Sequence, residues 1–208
     1  MVKVKICGIT NLEDARLAVD LGADMLGFNF YEKSPRYLPP LQARRLIAGL
    51  SGEVERVGVF VNIEDHRVTE FVDLMGLHAV QLHGDEPPDS VASLRRITDA
   101  KIIKAFRVGP MFNLDSLKET AADSVLLDAY SQDQYGGTGE KFEWSIAADA
   151  VRLRPDLMLA GGLTAENVVK AVQVVGPYAV DVASGVESAP GRKDPAKLEA
   201  FIRNAKSA

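Results

Sequence analysis

Eight short runs of β-branched, aromatic or otherwise apolar residues recur along the chain, and a stretch with helical spacing separates most of them. This alternation constrains the fold more than any other feature. The runs are VKVKIC (2–7), MLGFNF (25–30), ERVGVFV (55–61), HAVQL (78–82), KIIKAFRV (101–108), SVLLD (124–128), LMLA (157–160) and AVDVA (179–183). Most are apolar nearly throughout, as strands covered on both faces are. Between them, stretches such as NLEDARLAVDLG and AENVVKAVQVVG repeat apolar residues at helical intervals. Thr10 and Glu13 form a T-x-x-E pattern that predicts a capping box at the first helix. Gly22, Gly76 and Gly176 each sit shortly before a strand, where a helix-ending glycine belongs.

Those glycines share a local echo, GADMLGF, GLHAVQL and GPYAVDV. Their spacing is near two and four multiples of a unit of roughly 26 residues. Eight such units fill the 208 residues. Eight β-α units are the count of a (β/α)8 or TIM barrel, so the expected fold is α/β, a single domain over 1–208 with a parallel eight-stranded sheet. A doubly wound open sheet is the competing architecture. It calls for fewer strands and a Gly-rich turn after the first, and CGITN is not that turn.

Composition narrows the partners. A chain with 47% hydrophobic and 25% charged residues can build a substantial core. Its net charge of −5 argues against nucleic acid, which favours a basic face. One cysteine makes no intramolecular disulfide and fits a reducing compartment. The start of the chain alternates Lys with Val and Ile, unlike a signal peptide, and no apolar run approaches the roughly 18 residues that span a bilayer. A cytoplasmic protein without membrane contacts is expected.

In a (β/α)8 barrel chemistry sits at the C-terminal ends of the strands. Cys7 ends the first strand and Asp128 the sixth. A buried small residue would account for Cys7 taken alone. Asp128 is too far from the next helix, expected near Glu143, to act as its cap. The intervening AYSQDQYGGTGEKF is long for a βα connection and predicts a covering loop; its GGTGEK lacks the G-x-x-x-x-G-K-[ST] nucleotide pattern. Gly161 and Gly162 follow the seventh strand, and Ser184 and Gly185 the eighth. These are the two loops that often hold a phosphate in such barrels. Arg36 lies between prolines in the second loop, and spacing leaves it open between a solvated arginine and a carboxylate anchor. Gln81 and His83 in VQLHG either face the site or pack at its rim. The three histidines lie on different elements, so no metal site is expected.

A thiol and a carboxyl beside an anion site form a candidate acid–base pair. The thiolate is the stronger base for a carbon-bound proton, and a helix N-terminus near Thr10 would ease its formation.

These segments, KICGIT, GFNFYEKSPRYL, VQLHG, LLDAY…GGTGEKFEW, AGGL and DVASGVE…PGRKD, resemble the phosphoribosylanthranilate isomerase family of tryptophan biosynthesis, in order over nearly the whole chain. Ala183 stands where the family often has Ser. The resemblance implies a cofactor-free Amadori rearrangement of a phosphorylated sugar–anthranilate substrate. It implies Cys7 as general base, Asp128 as general acid and Arg36 on the anthranilate carboxylate. Gly161, Gly162, Ser184 and Gly185 would hold the phosphate, and Gln81 and Asp181 would contact the substrate. Oligomeric state stays open between homodimer and monomer. Three rivals differ in residues that can be checked. The related histidine-pathway isomerase has Asp where Cys7 stands. An aldolase needs a Schiff-base lysine, for which Lys104 is the notable intra-strand candidate. A non-enzymatic sugar-phosphate binder has no use for both Cys7 and Asp128.

Overall fold

The computed structural model describes residues 1–50, 54–129 and 143–208. The expected covering loop falls outside these residues, apart from Ala129. The strands are β1 (Lys3–Cys7), β2 (Met25–Asn29), β3 (Glu55–Phe60), β4 (Ala79–Leu82), β5 (Lys101–Val108), β6 (Ser124–Ala129), β7 (Met158–Leu159) and β8 (Ala179–Val182). Every neighbouring pair is parallel, and β1 pairs with β8 to close the barrel. The helices are α1 (Leu12–Asp20), α2 (Pro40–Ala48), α3 (Asp65–Met75), α4 (Pro88–Leu94), α5 (Ser116–Glu119), α6 (Trp144–Leu153), α7 (Val168–Val175) and α8 (Pro195–Ser207). The architecture is the expected (β/α)8 barrel. Between β8 and α8 it carries a small antiparallel hairpin, β9 (Glu187–Ala189) and β10 (Arg192–Lys193).

The strands are apolar on both faces because each face meets a different core. Met25, Val57, Ile103, Leu126, Met158 and Ala179 pack inside the barrel. Residues one step out of phase, such as Val4, Ile6, Phe28, Val80 and Leu82, pack outward in the larger core that includes the helices' buried faces. Period-two alternation therefore assigns Lys3, Lys5 and Cys7 of β1 to the face opposite Val4 and Ile6.

Helix ends follow the sequence signals with one correction. Gly76 and Gly176 are left-handed caps, at φ 60° and 64°. Gly22 follows the α1 cap Leu21, and its N–H donates to the Val19 carbonyl while that of Ala23 donates to Ala18, which is a Schellman closure. The expected Thr10–Glu13 capping box does not form. Asn11 caps α1 by accepting from the Asp14 N–H at 2.8 Å, and the Thr10 hydroxyl instead donates to the Gly191 carbonyl in the β9–β10 hairpin. Tertiary contact with a segment near the other end of the chain outweighs the local cap. Among the described residues no helix is long and apolar enough to cross a membrane.

The closing helix α8 buries Leu198, Phe201, Ile202 and Ala205. Phe201→Ala should therefore cost about 3–5 kcal/mol of folding stability, read from denaturant midpoints. A loss below about 1 kcal/mol would show that α8 does not share the core.

Candidate active site

Cys7, Asn29, Arg36, His83, Asp128 and Asp181 line one cavity at the C-terminal end of the barrel. A second pocket joins it, bounded by the glycines after β7 and by residues 181–185, and the two share Asp128, Asp181 and Ala183. The two expected acid–base residues, on strands one and six, are thus brought to one space beside the expected anion pocket.

Backbone shape makes this second pocket. Gly161 and Gly162 have φ of 84° and 62°, a region that side-chain-bearing residues rarely adopt. At Gly185 the constraint is close approach, since a Cβ there would stand 1.9 Å from the Leu163 carbonyl oxygen. Asn167 braces the loop after β7, donating to the Gly162 carbonyl at 2.9 Å and accepting from the Thr164 N–H at 2.8 Å. A single 3₁₀ turn, Ser184–Val186, follows β8.

Asp128 is buried, with Oδ1 accepting from the Ala129 N–H at 2.8 Å and Oδ2 lying 3.3 Å from His83 Nε2. That second approach lacks hydrogen-bond geometry, so among the described residues His83 Nε2 has no hydrogen-bond partner. The other ring nitrogen, Nδ1, lies 2.6 Å from Gln81 Nε2. Gln81 is fully buried and lines neither pocket; it reaches the site through His83. Its Oε1 also has no hydrogen-bond partner among the described residues.

The thiol differs from the sequence expectation. Burial pushes Cys7 above the ordinary thiol value, and nearby Asp181 adds to that rise. Lys5 and Lys193 oppose it without overcoming it. The charges nearest the thiol therefore come from within the barrel and from the hairpin, rather than from the start of α1. Lys5 is fully buried, with Nζ donating to Asp181 Oδ1 at 2.8 Å. Burial alone would push Lys5 down, but Asp181 and Cys7 hold it above the usual lysine value, so it stays an ammonium.

Arg36 is buried and already half engaged. Its Nε donates to Glu187 Oε1 at 2.9 Å and its Nη2 to Oε2 at 2.6 Å, a two-pronged pair. Glu187 also receives Lys193 Nζ at 3.0 Å, and that ammonium donates to the Cys7 carbonyl at 2.6 Å. The β9–β10 hairpin therefore holds both the Arg36 guanidinium and the end of β1. Lys5, Glu187 and Lys193 escaped the sequence reading as site residues. Strand alternation carried a signal for Lys5, two residues before Cys7. For the other two the only signal was their presence in the VE…PGRKD segment.

Lys104 does not offer a free amine. Its Nζ is paired with Glu86 at 2.6 Å and donates to the Gly84 carbonyl at 2.9 Å. Among the described residues no group of three or more His, Cys, Asp or Glu could hold a metal ion.

The family profile for N-(5'phosphoribosyl)anthranilate (PRA) isomerase matches residues 4–204. The chain belongs to this isomerase family. A curated N-(5'-phosphoribosyl)anthranilate isomerase from Geobacter metallireducens is 55% identical over 207 residues, covering 100% of both chains. The crystal structure of phosphoribosyl anthranilate isomerase from Thermotoga maritima superposes with a TM-score of 0.91 at 43% identity, again over 100% of both chains. Another solved member of the family, in complex with reduced 1-(o-carboxyphenylamino)-1-deoxyribulose 5-phosphate, has a TM-score of 0.88 at 43% identity over 100% of both chains. Family membership and the paired Lys104 together leave the aldolase reading without support.

Glu187 should make the fold acid-sensitive. Burial alone would raise it, but hydrogen bonds from Arg36 and the charge of Lys193 hold it below the usual glutamate value. A depressed carboxyl contributes stability above its unfolded value, and that contribution is lost as pH falls through its folded value. The stability gap between wild type and Glu187→Gln should therefore be widest near neutrality and shrink below about pH 4.5. Denaturant midpoints measured across that range check it. A gap that stayed constant would mean Glu187 is not held as a carboxylate.

Proposed function

We propose that this chain catalyses the Amadori rearrangement of N-(5-phosphoribosyl)anthranilate to 1-(2-carboxyphenylamino)-1-deoxyribulose 5-phosphate, the isomerisation step of tryptophan biosynthesis, in the cytoplasm. The observation that carries the mechanism is the shared cavity of Cys7 and Asp128 beside the glycine pocket. Asp128, as general acid, gives a proton to the furanose ring oxygen. The C1′–O bond breaks, and the nitrogen lone pair closes a C1′=N iminium. The Cys7 thiolate then removes the C2′ proton. The C–H electrons form C1′=C2′, the nitrogen recovers its lone pair, and an enolamine results. Loss of the enol proton and gain of a proton at C1′ complete the ketone. General acid–base steps of this kind need no cofactor.

The remaining residues bind. Arg36, oriented by Glu187, would meet the anthranilate carboxylate, while Gly161, Gly162, Ser184 and Gly185 would donate N–H groups to the phosphate. Asp181 would contact a sugar hydroxyl, and Gln81 would act through His83 beside Asp128. The partner is a small phosphorylated sugar–anthranilate molecule, in keeping with the net charge of −5, which disfavours nucleic acid. The active unit is one barrel over 1–208, working as a homodimer or a monomer that mass in solution distinguishes.

Mixing the purified chain with N-(5-phosphoribosyl)anthranilate should abolish the anthranilate fluorescence in a single turnover, and persistence of the signal would overturn the reading. Cys7→Ser is nearly isosteric but leaves a poor base, so turnover should fall by roughly 10²–10⁴-fold with little change in binding. Asp128→Asn should lose turnover to a similar extent, because the amide has no proton to give. Either variant turning over within about threefold of wild type would remove that residue from the mechanism. Arg36→Met should weaken binding by about 1.5–3 kcal/mol and act mainly on KM. An unchanged KM would take Arg36 off the carboxylate.

A further inference from the structure

The acid–base mechanism leaves the buried charge of Lys5 unused. Lys5 is fully buried inside the barrel, where an ammonium is costly unless its hydrogens find anionic partners. Its Nζ donates to Asp181 Oδ1 at 2.8 Å, and Cys7 stands two residues further along the same strand. Gly27 on β2, in register with Cys7, makes the space for this meeting. A Cβ at Gly27 would stand 2.8 Å from Cys7 Sγ and 3.1 Å from Lys5 Nζ, so thiol and ammonium crowd around one missing side chain.

We propose that Lys5 is the positioning residue that enlarges the thiolate fraction of Cys7, and that Asp181 sets how much of the Lys5 charge reaches the sulfur. The inference rests on Cys7 as the base. A thiol whose desolvation disfavours ionisation is a strong base only in its small ionised fraction, and a fixed cation near the sulfur enlarges that fraction. Lys5 is the strongest influence drawing the thiol down, and Asp181, paired with the same ammonium, pushes it up. Among the described residues, the other charged or titratable groups around the cavity are Lys193 of β10, Arg36 with Glu187 behind it, His83 after β4 and Asp128 of β6. Lys193 also lowers the thiol, but its Nζ is engaged by the Cys7 and Ala183 carbonyls and by Glu187. The Lys5 ammonium donates to one carboxylate and shares with the thiol the space that Gly27 leaves open.

The chain's single cysteine makes the test direct, because the ultraviolet absorbance of thiolate in the folded protein, less that of Cys7→Ser, reports one group. Lys5→Met should raise the titration midpoint by at least about one pH unit, leaving about tenfold less thiolate at fixed pH. Asp181→Asn should lower the midpoint, because the thiol becomes the ammonium's remaining anionic partner. The double variant should fall between wild type and Lys5→Met, since Lys5 outweighs Asp181. In Lys5→Met the acid limb of kcat should shift up in parallel while KM holds, a pattern that lost packing would not produce. An unmoved midpoint in Lys5→Met, or an unmoved or raised one in Asp181→Asn, overturns the proposal. If Lys5→Met does not fold, Asp181→Asn decides it alone. Turnover of Cys7→Ser tests the base reading separately. A normal rate there with a shifted Lys5→Met midpoint would refute Cys7 as base while leaving the Lys5–Cys7 coupling in place.

Discussion

The barrel closes where β1 meets β8, and inside that seam the Lys5 ammonium faces the Asp181 carboxylate at 2.8 Å, both buried. The two residues are register partners, so correct closure brings them together. A slip of one residue would turn each charge toward the helix layer and expose the apolar outer face inward. A buried ion pair of this kind adds little net stability against an apolar alternative, but it strongly penalises any register that separates the charges. The same pairing fixes the height of Cys7, two residues further along β1, and of Ala183, two residues beyond Asp181. The seam thus sets the geometry of both pockets that meet there.

A second constraint comes from the short hairpin between β8 and α8. Glu187 and Lys193 reach back from it to Arg36, to the Cys7 carbonyl and, through Gly191, to Thr10. These contacts take a guanidinium that would otherwise explore many rotamers and fix one edge of it against a carboxylate. The entropy of ordering Arg36 is spent in folding, which favours rigid recognition of a planar anion. Gly161, Gly162 and Gly185 do the corresponding work on the other side, where backbone shape replaces charge.

Much of this was legible in the chain. All eight strands were readable because a strand buried on both faces is an apolar run, and the helix stops at Gly22, Gly76 and Gly176 because a left-handed or near-cap position favours glycine. Strand ends then located Cys7, Asp128 and the two glycine loops, since barrel topology puts every strand's C-terminus on one face. The Thr10 cap was misread because the local pattern satisfied a helix rule, while a carbonyl at Gly191 competed for the same hydroxyl. The surroundings of the thiol were not legible, because burial and the nearby Lys5, Asp181 and Lys193 charges come together only in the folded chain.

Residue order by itself determined the alternation of β and α units, the barrel they imply, and which residues end up at the strand termini. These follow from local spacing and from the requirement that apolar faces be covered. The tertiary structure alone decided which charges meet. Arg36 and Glu187 lie 151 positions apart, Lys5 and Asp181 lie 176 apart, and Lys193 and Cys7 lie 186 apart. No periodicity relates such positions. Closure of the ring brings them within hydrogen-bond reach, and the low dielectric there makes their pairing matter.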